Sequence, residues 1–311
     1  MLGAIIGDMV GSVYEFNNHR SKQFPFFSDK SWPTDDSITT IAIAKAILDN
    51  RGMTDGIGRQ AEKWMRKIGR QYPNSGYGGQ FWDWMFCDHP QPYNSFGNGA
   101  AMRVSACGFA ANSLEEAKQL SRAVTAVTHN HPEGINGAEA TTCAVYLART
   151  NHSKDEIRTF ITENYYVLDF RLYQIRDSYQ FNETCQDTVP PAIEAFLESD
   201  SFEDAIRNAI SIGGDSDTLA AITGGIAEAY YGIPNNLRKA AIRQFRCGWQ
   251  KEYPNAYAKK DPDLLAVVDA FEKKYGIPTG TEAAKEESGN TYTDDDWDFD
   301  DFDDFEDELE N

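Results

Sequence analysis

The sequence predicts an all-α protein, and three observations predict it. Apolar residues recur at i, i+3, i+4 and i+7 along most of the chain, the period of an amphipathic helix. A strict apolar–polar alternation, the mark of a half-buried strand, is nearly absent. The chain has 311 residues of which 41% are hydrophobic, enough to bury a large helical core.

The first helix is set by Leu2, Ile5, Ile6, Met9, Val10 and Val13. Gly7, Asp8, Gly11, Ser12 and Glu15 fall mostly on its other face, which is small and polar and lets a neighbour approach closely. Asp8 and Glu15 stand two turns apart, so both carboxylates are expected on one side. Further helices are expected over residues 36–49, 56–69, 114–127, 134–149, 154–163, 190–198, 202–210, 218–231, 235–246 and 262–274. Loops 71–80, 88–99 and 129–134 are rich in Gly, Asn, Pro and aromatics, and loops on a helical scaffold are where binding residues concentrate. The helical pattern stops near Gly276-Ile277-Pro278, which places one domain at 1–278 and an acidic, compositionally disordered tail at 279–311.

The formal net charge is −20; residues 288–311 hold twelve Asp/Glu and no Lys or Arg, which leaves −8 for the rest. A mildly acidic body argues against nonspecific nucleic-acid binding, which needs basic surface. Trp297, Phe299, Phe302 and Phe305 are interleaved with the acidic tail residues, so the tail could bind a basic partner or simply solubilise the chain. Cys87, Cys107, Cys143, Cys185 and Cys247 are scattered, with no C-x-x-C pair, the usage of reduced thiols in a cytoplasmic protein. The apolar N-terminus lacks a basic leader and is interrupted by Asp8, so neither a signal peptide nor a membrane span is expected.

Two acidic clusters open helices in the same way. Thr34-Asp35-Asp36-Ser37 precedes the run from Ile38, and Gly213-Gly214-Asp215-Ser216-Asp217-Thr218 precedes the run from Leu219. Thr and Asp are ordinary helix caps, which is the bland explanation of either cluster. A helix N-terminus favours an anion by only about 0.3–1 kcal/mol. Two carboxylates about 4 Å apart repel by roughly 4 kcal/mol at an effective dielectric of 20. If the clusters meet, divalent cations can balance them, and all-oxygen ligation suits Mg²⁺, Mn²⁺ or Ca²⁺.

Weaker signals surround these. Gly97-Asn98-Gly99-Ala100-Ala101-Met102-Arg103 could hold a phosphate or diphosphate on exposed backbone N–H groups, or could serve tight helix packing. His129-Asn130-His131 lacks a third His or Cys ligand nearby, so hydrogen bonding suits it better than a transition metal. The stretch from Tyr72 through Tyr77 to Gly79 could line a purine pocket, or be a loop anchored through Phe81 and Trp82. Glu15 could be a catalytic carboxylate or part of a solvated face.

Together, Gly7 to Glu15, Thr34 to Ser37, the 97–103 run, His129 to Pro132, Cys185 to Pro190 and Gly213 to Thr218 resemble the ADP-ribosylglycohydrolase family, in order, over roughly residues 1–278. The resemblance implies a compact, single-domain orthogonal helical bundle with two Mg²⁺ or Mn²⁺ ions. It implies metal ligation by Thr34, Asp35, Asp36, Asp215, Asp217 and Thr218, and catalytic roles for Glu15 and Asp36. It implies substrate contacts from Gly97, Asn98, Gly99, Ala100 and Met102, and from His131 and Tyr77. The implied reaction is hydrolysis of an ADP-ribosyl N- or O-glycosidic bond on a modified protein or other conjugate, arginine-linked as the first expectation. The rivals are a non-catalytic ADP-ribose or nucleotide sensor and a binuclear phosphohydrolase.

Overall fold

In the computed structural model, residues 1–253 and 262–279 are described. Among them, helix α1 (Leu2–Gly11) is buried on every face. Its partner is α12 (Ser216–Tyr231), itself buried from Ser216 to Glu228. A helix that is apolar or small all round belongs in the middle of a protein. The two run antiparallel with backbones almost touching. A Cβ on Gly3, Gly7 or Gly11 would collide with the backbone oxygen of Gly224, Ala220 or Ser216, respectively. The small face of α1 therefore receives α12. This approach brings the N-terminus of α12 against the C-terminal turn of α1.

Around this pair lie α2 (Asp35–Asp49), α3 (Ile57–Gly69), α4 (Gly79–Phe86), α5 (Ser105–Ala110), α6 (Leu114–Thr125), α7 (Pro132–Arg149), α8 (Lys154–Asn164), α9 (Leu172–Ile175), α10 (Cys185–Leu197), α11 (Phe202–Ile210), α13 (Asn235–Glu252) and α14 (Leu264–Tyr275). Thr34, Ser113, Ser153, Ser201 and Asp263 cap α2, α6, α8, α11 and α14, accepting the backbone N–H groups left orphaned at a helix start. The described residues hold no strand, only an isolated bridge between Gly97 and Thr184. One continuous apolar core runs from Met1 to Ile277. All five cysteines are free. No helix among the described residues is long and apolar enough to cross a membrane.

Three expectations change. The first helix ends at Gly11, where the Ser12 N–H bonds back to the Asp8 carbonyl, so Glu15 lies in the turn beyond it. Helix α10 begins at Cys185, ahead of its Pro190 and Pro191. Pro191 leaves the Asp187 carbonyl without its helical donor, and the Tyr179 hydroxyl supplies one at 3.0 Å. The 71–80 loop leads into α4, which anchors through Phe81 and Trp84; Trp82 is exposed. The acidic tail beyond Thr279 lies outside the described residues.

Candidate functional site

Asp8 organises the first acidic cluster. Its Oδ1 accepts from the Thr34 hydroxyl at 2.7 Å, and its Oδ2 accepts from the Thr34 N–H at 2.9 Å and the Ser37 N–H at 3.0 Å. The Ser37 hydroxyl donates to the same oxygen. Asp8 is thus a fully engaged brace that ties α1 to the start of α2. Thr34 accepts the Asp36 N–H as well, which fixes Asp35 and Asp36 on the first turn. The loop before α4 covers Asp35, whose N–H donates to the Ser75 carbonyl at 2.8 Å.

The second cluster is set by the chain between α1 and α2. Asn18 acts on Gly214 like a strand partner: its Nδ2 donates to the Gly214 carbonyl at 2.9 Å, and its Oδ1 accepts the Gly214 N–H at 2.8 Å. The same Nδ2 reaches the Glu15 carbonyl at 2.8 Å. The Arg20 guanidinium donates to the carbonyls of Ile212, Tyr179 and Arg176. Gly213 and Gly214 turn with φ of +71° and +80°, a region costly for other residues. That turn delivers Asp215 and Asp217 to the start of α12.

The clusters meet. The Thr218 hydroxyl donates to Asp36 Oδ2 at 3.3 Å, across 182 positions of sequence. Oxygens of Glu15, Asp215 and Asp217 lie within 4.8 Å of one another. Asn98 Nδ2 donates to Asp215 Oδ2 at 2.6 Å and to Thr188 Oγ1 at 3.2 Å. Burial, then the charges of Asp217 and Asp8, pushes the Glu15 carboxyl up to about 8. Burial pushes Asp8 and Asp215 up to about 6, against the hydrogen bonds that each accepts. Asp35, Asp36 and Asp217 are also raised, first by burial and then by neighbouring carboxylates.

This donor set fits a hard divalent cation. The oxygens are carboxylate and hydroxyl, converge from two helix starts, and repel one another without a cation. Asp36 Oδ1 is buried with no hydrogen-bond partner, an acceptor left open.

The substrate-side residues divide. In the 3₁₀ turn at 98–100, Ala100, Ala101 and Met102 donate their N–H groups within the turn, Asn98 N–H goes to the Glu183 carbonyl and Gly97 N–H to Ser95 Oγ. The exposed row of donors expected for a diphosphate is therefore largely used within the chain. Ala100 and Met102 are buried, and Met102 Sδ lies 3.8 Å from Thr218 Oγ1. His131 caps α7, its Nδ1 accepting the Glu133 N–H, and its ring lies 5.2 Å from that of the exposed Phe96. His129 is the histidine against the 97–99 turn: a Cβ on Gly99 would stand 3.5 Å from its Nε2. Tyr77 stacks on Phe81 with its hydroxyl buried toward Gly69, the loop-anchor arrangement.

Sequence reasoning missed Asp8 as a brace, Ser37, Asn18 and Arg20. Ser37 had a signal, because a Ser in the first turn beside two aspartates competes for the same caps. Asn18 and Arg20 act on backbone far away in sequence and leave no local pattern.

A sequence model of the ADP-ribosylglycohydrolase family matches residues 1–263. The ADP-ribosylhydrolase ARH3 of Bos taurus is 26% identical, over 75% of this chain and 84% of its own length. Its Xenopus tropicalis counterpart is 24% identical, over 78% and 89%. The ADP-ribosylarginine hydrolase Tri1 of Pseudomonas putida (strain GB-1) is 28% identical, over 48% of this chain and 43% of its own. A solved ADP-ribosylglycohydrolase-related protein complex shares the fold with a TM-score of 0.59 and 21% identity, covering 79% of this chain and 95% of that one. With the family model running from α1 across both acidic helix starts, the chain belongs to the ADP-ribosylglycohydrolase family.

Proposed function

We propose that this hydrolase of ADP-ribosyl glycosidic bonds uses two Mg²⁺ or Mn²⁺ ions and acts on arginine-linked conjugates. The observation that carries the metal reading is the meeting of the two acidic helix starts through Thr218 and Asp36. Thr34, Asp35, Asp36, Asp215, Asp217 and Thr218 would hold the ions. When bound, such ions would orient the ribose and activate a water, and would balance the charge of the carboxylates that hold them. Thr34 keeps one lone pair for this role after its bonds to Asp8 and Asp36.

The chain's own residues do the rest. Asn98 fixes the Asp215 carboxylate by donating to its Oδ2. Without the ions, burial and then the charges of Asp217 and Asp8 hold the Glu15 carboxyl at about 8; bound dications would lower it toward the neutral range where a general acid or base works best. Hydrolysis breaks the bond from the anomeric carbon to the leaving nitrogen. Water supplies the hydroxyl on carbon and the proton on nitrogen, and Glu15 is the group proposed to carry that proton.

Arginine as the linked residue is supported by the rim. The exposed Phe16 ring lies 6.1 Å from that of Phe181, nearly parallel to it. Exposed Glu183 lies close enough to add to the raised titration of Glu15. Flat aromatic faces beside carboxylates suit a planar cation such as guanidinium. The Tri1 resemblance points the same way. We place the protein in the cytoplasm on its free cysteines.

The test is a panel of arginine-, serine- and nucleobase-linked ADP-ribose conjugates, with Mg²⁺, Mn²⁺ or EDTA, read by mass spectrometry. Free ADP-ribose from the arginine conjugate, lost in EDTA, is expected. AMP or phosphate as product would indicate phosphohydrolysis, and binding without turnover would indicate a sensor; either result overturns the reading.

A further inference from the structure

The solvent face of α3 is a row of cations on an otherwise acidic protein. Arg59, Lys63, Lys67 and Arg70 are exposed at spacings of four, four and three, one stripe along the helix. Arg59, Lys63 and Arg70 have no carboxylate partner among the described residues; Lys67 has contacts of its own and is not needed here. The stripe is continued by exposed aromatics of α4. Trp82 and Phe86 lie 4.6 Å apart, and the Arg70 guanidinium sits 5.7 Å from the Phe86 ring centre.

The chain supplies a segment of opposite character. Residues 294–311 carry twelve Asp/Glu, no Lys or Arg, and Trp297, Phe299, Phe302 and Phe305 among them. We propose that this C-terminal segment docks on the α3–α4 face of its own chain, carboxylates on the stripe and aromatic rings on Trp82 and Phe86. Charge complementarity selects it. An acidic body of net −8 offers few basic rows, and the segment concentrates the opposite charge with rings that can stack on rings and on guanidinium.

The path of the chain permits it. Helix α14 packs on α2, and a Cβ on Gly52, in the connection that leads to α3, would stand 3.1 Å from the Tyr275 hydroxyl. The chain thus passes α2 shortly before Thr279. Thirteen residues lie between Gly280 and Asp294, a stretch that reaches up to ~46 Å when extended, whereas the thirteen residues of α3 span only ~20 Å. Tethering sets an effective concentration in the millimolar range, so weak pairwise contacts suffice.

The experiment is zero-length carbodiimide cross-linking of the full chain, which joins carboxylates to lysine amines, followed by peptide mass spectrometry. Cross-links from 294–311 to Lys63 are expected in the monomer, several-fold above those to exposed Lys30 and Lys239. They should fall several-fold in 0.5 M NaCl, where screening is strong. They should fall likewise in R59E/R70E, which leaves the Lys63 reporter in place. D300N/D301N/D303N/D304N weakens the segment without touching α3 and gives the same loss if the stripe variant does not fold. Cross-links spread evenly over Lys30, Lys63 and Lys239 would overturn the proposal. So would cross-links confined to covalent dimers, which make a second copy the occupant. Binding of a single-stranded oligonucleotide by the full chain at physiological salt, abolished by R59E/R70E, would show the face open to external polyanions and refute it as well.

Discussion

Replacing Asp217 by asparagine is expected to stabilise the metal-free protein and to destabilise it relative to wild type once dications are added. Asparagine keeps the shape of the side chain and the Oδ1 that accepts the Thr218 N–H at 2.9 Å. What it removes is a charge whose oxygen lies within 4.8 Å of Glu15 and Asp215 oxygens. At an effective dielectric of 20, two ionised carboxylates at that separation repel by ~3.5 kcal/mol. Proton uptake relieves part of this, and the relief has a cost of its own. Asp217 is itself raised, first by burial and then by Asp215 and Asp8; asparagine, which carries neither the charge nor the proton, should return ~1–2 kcal/mol, or roughly 2–8 °C in Tm for a domain of this size. Dication at a hundred times its Kd stabilises wild type by ~2.7 kcal/mol per site, roughly 5–11 °C. The variant should forfeit much of that. Thermal unfolding of both proteins in EDTA and in millimolar Mg²⁺ or Mn²⁺ reads the crossover. A wild-type Tm unmoved by dications, or a variant below wild type by the same margin in both buffers, would refute the reasoning.

Glu15→Gln should retain the helical circular dichroism and ADP-ribose binding while kcat falls by ~10²-fold or more; near wild-type turnover would return Glu15 to a solvated role. Asn18→Ala removes both bonds to Gly214 and should weaken dication binding by about tenfold, about 1.4 kcal/mol by calorimetry; unchanged affinity would mean that the Gly213–Gly214 turn holds its own shape. Gly7→Ala drives a methyl into the Ala220 carbonyl and should cost at least ~1–3 kcal/mol in urea unfolding, with dication affinity falling too because α12 is displaced. The pH dependence follows from raised carboxyls. With Glu15 at about 8, and Asp35, Asp36 and Asp217 also raised, the native state binds more protons than the unfolded one. Metal-free stability should therefore fall as pH rises from 6.5 to 8.5. His129 and the N-terminal amine, both lowered first by burial, act the other way; the His129 contribution fades above its unfolded value of 6.5, and the four raised carboxyls are expected to outweigh the single amine. A urea midpoint that climbs with pH in EDTA would contradict the titration.

The sequence by itself determined the helical class, most helix positions and the two acidic starts. Each of these is written locally, as a 3.6-residue period or as a cap followed by apolar residues. It failed where local signals were short or misleading. Helix α4 has eight residues and α5 six, too few turns for a period to emerge. Proline marks a first turn more often than a second, so Pro190 pointed to a start five residues beyond the true one, and the Tyr179 hydroxyl, distant from any local pattern, supplies the donor that Pro191 cannot. The tertiary structure alone decided that the acidic starts meet. Nothing in either cluster encodes the other; what joins them is the glycine row of α1, which lets α12 close to backbone contact, and Asp8 on the same helix, which grips Thr34 and Ser37. Glu15 joins them from a turn, held with Gly214 by Asn18. Such long-range bonds depend on where backbone groups lie in space, which the order of residues along one segment does not state.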